Sequence, residues 1–122
     1  MKDNIVDLYI EGGILFVIAN NKFYFDLNAA QSITKKRLEI CSGKSYPTFF
    51  NFGENSRYAS LQARNYFTNE GEKNLLAAAF IVNNVASKIF IHSYLTVHKP
   101  SVPTKVFSDE AGAINWLKQF AG

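Results

Sequence analysis

His92 and His98 are the only imidazoles in the chain and stand six residues apart. On a helix that spacing turns the two rings to different sides. No cysteine or further histidine lies nearby to complete a zinc-type ligand set, so both read as ordinary histidines and no metal is expected. Asp26, Glu39 and Glu54 are carboxylates that acid–base chemistry could use, but only the fold can bring them together, and their spacing argues nothing. Cys41 is the single cysteine. A reactive thiolate wants a helix N-terminus or a neighbouring base, and Cys41 has neither, so it reads as a small core hydrophobe. Lys35-Lys36-Arg37 is the one consecutive basic run. It is either a solvated helix face or a phosphate-binding patch. No Gly-rich phosphate loop, nucleophile elbow or paired-Cys zinc motif is present. The chain therefore reads as non-enzymatic, without a cofactor.

Two sets of residues remain as candidate binding groups. Ser56, Arg57 and Ser60 follow the strand expected at Tyr46–Phe52. A helix starting near Ser60 would present unpaired N–H groups and a positive dipole end. Arg57 would add a planar donor fork suited to phosphate or carboxylate. Together they would form a modest anion site or a dock for an acidic partner. Alternatively Ser60 caps, Ser56 turns and Arg57 is solvated. The second set is aromatic: Phe23, Tyr24 and Phe25 crowd one short segment, and Phe90 and Tyr94 belong to a segment apolar on most sides. Either these rings are all core, or part of them marks an interface or a ligand groove.

The elements that would position these groups follow from pattern. Strands are expected at Ile5–Ile10 and Ile14–Ala19, joined by a turn at Glu11-Gly12-Gly13. A short strand at Phe23–Phe25 would extend them into an antiparallel meander. A helix over 28–42, capped by Asp26 or Asn28, carries Ala30, Ile33, the stem of Arg37 and Ile40, with Leu38 and Cys41 widening the stripe and Gly43 past its end. Tyr46–Phe52 and Leu75–Val82 read as buried strands, and a helix runs from about Ser60 through Phe67. Val102–Phe107 is the last strand. The last helix, 109–120, is capped by Ser108 and buries Ala113, Trp116, Leu117 and Phe120. Residues 86–99 are ambiguous: they alternate like a strand, yet a crossover of a dozen or more residues is needed between parallel neighbours, and Ala86–Lys99 has that length.

The 122 residues, 48% hydrophobic and 19% charged, suit one globular domain rather than a disordered chain. A net charge of +3 spread along the chain is too diffuse for a nucleic-acid binder. A single cysteine excludes an internal disulfide. The polar, acidic start is unlike a signal peptide, and the apolar runs are shorter than a transmembrane helix, so no membrane span is expected and a cytoplasmic location follows.

Several segments carry a resemblance. They are Glu39 near the end of its helix, Gly43-Lys44-Ser45-Tyr46-Pro47, Ala63-Arg64-Asn65-Tyr66-Phe67 and Ala77-Ala78-Ala79-Phe80-Ile81-Val82-Asn83. Lys99-Pro100-Ser101-Val102-Pro103-Thr104-Lys105-Val106-Phe107 and Trp116-Leu117 complete the set. From Leu27 onward the chain resembles small bacterial proteins of the STAS-like fold, the SpoIIAA-like relatives of anti-sigma-factor antagonists. The resemblance implies a single STAS-like α/β domain with a mixed sheet and about four helices. It also implies a helix at 86–97. In the antagonists a phosphorylatable Ser begins the helix after a central strand, within an Asp-Ser-Ser/Thr-Gly-like motif. Here the matching stretch, Asn51–Ser60, lacks that motif, and Ser56 and Ser60 are what remains of it.

The leading expectation is a non-catalytic module that binds a protein partner, with a homodimer formed partly through 86–97. The alternative is a carrier or sensor of a small apolar or anionic ligand, in a pocket beside that helix. An enzyme built from dispersed residues comes third.

Overall fold

The computed structural model describes residues 5–20, 22–53, 59–70 and 73–121. Strands β1 (Val6–Glu11) and β2 (Ile14–Ala19) pair antiparallel around Gly12 and Gly13. Both glycines have positive φ, +60° and +80°, as a two-residue type I′ hairpin turn requires. Helix α1 (Leu27–Cys41) leads to β3 (Tyr46–Asn51), α2 (Leu61–Asn69) to β4 (Leu75–Ile81), and α3 (Val85–Val97) to β5 (Thr104–Phe107). Helix α4 (Glu110–Leu117) and a 3₁₀ turn (Lys118–Phe120) close the chain.

The five strands lie in the order β1-β2-β3-β4-β5, with β2 to β5 parallel. Every parallel step moves one strand in the same direction. Right-handed crossovers then put α1, α2 and α3 on one face of the sheet. That face is built from Val6, Leu8, Leu15, Val17, Phe50 and Ala78, with Ala30, Ile33 and Ala63 from the helices. Helix α4 covers the other face, where Ala113 and Leu117, both fully buried, seat on Phe16, Phe49, Ala77, Ala79 and Ile81. The register slips between Tyr46 and Pro47, which pair with Leu75 and Ala77. The extra residue, Leu76, is 41% exposed, and the slip lets Leu75 and Ala78 face the same side. Pro47, which has no N–H to offer a ladder, sits at that irregularity.

The mixed sheet and the four helices agree with the expected α/β architecture. Residues 86–97 are helical: Asn84 caps α3 by accepting from the Ser87 N–H at 2.8 Å. Asp26 caps α1 and Ser60 caps α2, each accepting from an amide three residues on. Gly43 has φ +81° past the end of α1, and Ser42 before it is also left-handed.

Two expectations are corrected. Phe23–Phe25 is not a strand, so the chain opens with a hairpin and not a meander. Both edges of β2 are occupied, by β1 and β3, which leaves no ladder beside it to join. Instead the Phe25 carbonyl accepts from the Ser60 N–H at 2.9 Å, tying this segment to the start of α2. The cap of α4 is Asp109 and not Ser108; its carboxylate accepts from the Gly112 N–H at 2.6 Å.

Candidate functional site: an aromatic cavity beneath α3

In many parallel α/β sheets a ligand crevice opens where the strand order reverses. This sheet has no reversal, so that crevice does not exist here. Space appears elsewhere, between the sheet and the pair α2 and α3. Helix α1 is packed closely on the hairpin, but α3 buries only Ser87 and Ile91 completely. Opposite it on the sheet stand short side chains, Ala78 on β4 and Thr104 on β5, paired with each other in register. A half-buried helix over small residues leaves a gap.

That gap is a partly open cavity of about 90 Å³, and about 770 Å³ of empty space once its mouth is counted. An engineered apolar cavity of about 150 Å³ accepts benzene, so this smaller interior holds a short chain or part of one ring, with the rest in the mouth. Six of the eleven phenylalanines line it: Phe25, Phe50, Phe52, Phe67, Phe80 and Phe90. Most of them support one another as a wall. Phe50 stacks on Phe80 at 5.1 Å, Phe25 meets Phe52 edge-on at 5.1 Å, and Phe67 leans on Phe25 at 5.2 Å. Offset and edge-to-face contacts of this kind hold ring positions and not merely volume. Ala59, Leu75, Ala78, Ile91, Leu95 and Pro100 add to the apolar lining.

The polar lining is sparse and comes mostly from α2 and α3. Thr68 Oγ donates to the Arg64 carbonyl at 3.0 Å, a helical back-bond. The Tyr94 hydroxyl lies 3.2 Å from that carbonyl and 3.1 Å from Thr68 Oγ. Two hydroxyl protons serve these three contacts, and together they form the polar seam between α2 and α3. The His98 ring rests against Tyr94 at 5.0 Å. Arg64 lines the cavity with its guanidinium carbon 5.8 Å from the centre of the Phe90 ring, a cation–π distance. Its Nε is buried and has no hydrogen-bond partner among the described residues.

The candidate residues fall in different places. Phe90 and Tyr94 both line the cavity. Ser60 is engaged as the cap of α2, next to Ala59 of the cavity wall. Ser56 and Arg57 lie outside the described residues, as does Glu54. Asp26 caps α1 and Glu39 is exposed on its surface. His92 is exposed whereas His98 is half-buried. Among the described residues no three His, Cys, Asp or Glu side chains gather as a metal site. The basic run does not act as one patch, because Arg37 is 1% exposed and donates from Nη1 to the Lys73 carbonyl at 2.7 Å. Burial pushes its pKa below the usual value. Cys41 is buried beside it, and burial pushes that thiol's pKa up, away from reactivity.

Arg64, Thr68, Thr104 and the lining phenylalanines other than Phe25 and Phe90 were not singled out from sequence. A cue existed for two of them: Arg64 and Thr68 are four apart on α2, hence on one side of it.

Fold and site define a mixed-sheet α/β domain with an aromatic cavity between its sheet and the helix preceding the last strand. The chain belongs to the family described as a domain of unknown function (DUF7793), whose family model matches residues 8–121. No curated protein and no solved structure matches it. No helix among the described residues is long and apolar enough to cross a membrane.

Proposed function

We propose that this domain is a non-catalytic ligand-binding module that holds a small, largely apolar molecule between its sheet and α3. The observation that carries the reading is the aromatic wall around unfilled space. Rings that serve only as core close on one another, because native interiors leave few voids larger than a water molecule. Apolar walls with a few convergent polar groups are the usual make-up of small-ligand sites. The sparse polar lining also supports a binding role over a catalytic one, since among the described residues no carboxylate lines the cavity to share proton transfer with His98. The resemblance to SpoIIAA-like proteins suggests that binding serves regulation, in a STAS-like, bacterial, cytoplasmic setting.

Calorimetric titration with 3-phenylpropan-1-ol, a neutral one-ring probe, tests the reading. One saturable site is expected, with Kd of roughly 0.1–1 mM for so small a ligand. Absence of saturable binding would remove the proposal.

A second reading, docking of a protein partner or of another copy of the chain, is favoured by the outer side of α3. Val85, Ile89 and Val97 share that side and are 74%, 62% and 74% exposed. Light scattering at tens of micromolar would show a dimer if this surface pairs with itself, and a strict monomer would exclude self-pairing.

A further inference from the structure

We propose that Arg64 makes the cavity selective for a small monocarboxylate, its apolar body among the phenylalanines and its carboxylate on the guanidinium. This deepens the ligand-binding reading and rests on it. A guanidinium carries five N–H donors and no acceptor. Buried donors in native proteins are nearly always paired. The Arg64 Nε is buried without a partner among the described residues, and the Phe90 ring beside the guanidinium offers a face and not a lone pair. Arg64 and Phe90 are both half-exposed, which puts them where the cavity meets solvent. A head group would sit there while its body reaches inward.

Charge complementarity selects the head group. Among the described residues no Asp or Glu lines the cavity, so none of them offers the guanidinium a carboxylate there. Nor does any lysine among them line it. One fixed positive charge balances one negative charge. A carboxylate matches it and accepts two parallel N–H bonds from the planar fork, Nε included. A phosphate monoester brings nearly two charges and three acceptor oxygens, and would leave about one charge uncompensated at an apolar opening. Alcohols and amides would leave the guanidinium unneutralised. A straight or branched short-chain acid and an aryl-alkanoic acid share the same chemistry, and the width of the cavity decides between them.

Three ligands with one body test this: 3-phenylpropanoate, 3-phenylpropan-1-ol and 3-phenylpropyl phosphate, titrated calorimetrically into the wild-type domain and into Arg64→Gln. The carboxylate should bind the wild type about tenfold tighter than the alcohol, the lower end of what a hydrogen bond to a charged group supplies at a half-exposed site. It should also bind tighter than the phosphate. In Arg64→Gln the carboxylate should fall to within about twofold of the alcohol, while the alcohol binds as before and so reports an intact cavity. Equal binding of acid and alcohol by the wild type would overturn the inference without recourse to the variant. So would a loss in Arg64→Gln shared equally by both ligands. Phosphate binding tighter than carboxylate would reject the choice of a monocarboxylate. If the alcohol does not bind at all, the ligand-binding reading itself fails, which is a different result.

Discussion

Ala78→Leu should fold with wild-type stability or better and lose binding of 3-phenylpropan-1-ol roughly fiftyfold, while Ala79→Leu should cost about 1–3 kcal/mol of stability and leave binding unchanged. The two residues are neighbours on β4 and both are buried, 3% and 0% exposed. They differ in the face they serve. Ala79 lies under α4, packed with Phe49 and Leu117, where extra carbons must displace backbone or force rotamers. Ala78 faces the cavity. Three added carbons there would fill unoccupied space, each worth about 0.8 kcal/mol to whatever fills it, ligand or side chain. Chemical denaturation of both variants, followed by titration, gives the comparison. Equal destabilisation by the two substitutions would mean that the space beneath α3 is not vacant in solution.

Phe50→Ala should destabilise the domain by about 3–5 kcal/mol, a large part of the 5–15 kcal/mol that holds a typical domain together. Phe50 is 4% exposed, stacks on Phe80 and touches Phe52 at 5.5 Å, so it belongs at once to the core and to the cavity wall. Removing its ring should also enlarge the cavity. The variant should then accept 2-naphthaleneethanol, a two-ring alcohol that the wild type refuses. Urea denaturation gives the first quantity and titration calorimetry the second. A loss under about 1 kcal/mol would show a ring free to collapse or to be replaced by its neighbours, and that would contradict a preformed wall.

Much of the scaffold was legible because it depends on local chemistry. Gly12-Gly13 can do little but turn a hairpin, and Asp26 and Ser60 are natural caps. The assignment of 86–97 depended on a wider constraint. Its side chains alternate like a strand, the need for a crossover to a parallel β5 left both readings open, and the helix was expected from the resemblance to STAS-like proteins, in which a helix joins the last two strands. The error at Phe23–Phe25 also has its origin outside the segment. Three aromatic residues have strand propensity, but a strand needs a free edge, and whether β2 has one is decided by residues more than twenty positions away in β3. Asp109 outcompeted Ser108 as a cap by one residue, a shift that sequence rarely resolves.

The site was less legible than the scaffold. Phe90 and Tyr94 drew notice because α3 is apolar on most sides. The wall they face comes from the coil before α1, from α2, β3 and β4, and from residue 52 just past β3, so no single segment displays it. The cavity itself exists because Ala78 and Thr104 are small opposite a helix that docks lightly, a volume deficit between elements that no pattern within one element encodes. Arg64 reads in sequence as an ordinary solvated arginine on a short helix. Only its place at the cavity, with a buried Nε that has no partner among the described residues, separates it from Lys35 or Lys118, which lie on exposed surfaces.

Methyl-resolved NMR during titration with 3-phenylpropan-1-ol tests the central claim most directly. Shifts should saturate together at Leu75, Ala78, Ile91 and Leu95, which line the cavity, while Ile14, Ala113 and Leu117 on the opposite face stay where they are. Methyl groups that do not respond beneath α3, or that respond equally on both faces of the sheet, would contradict a binding site in this cavity.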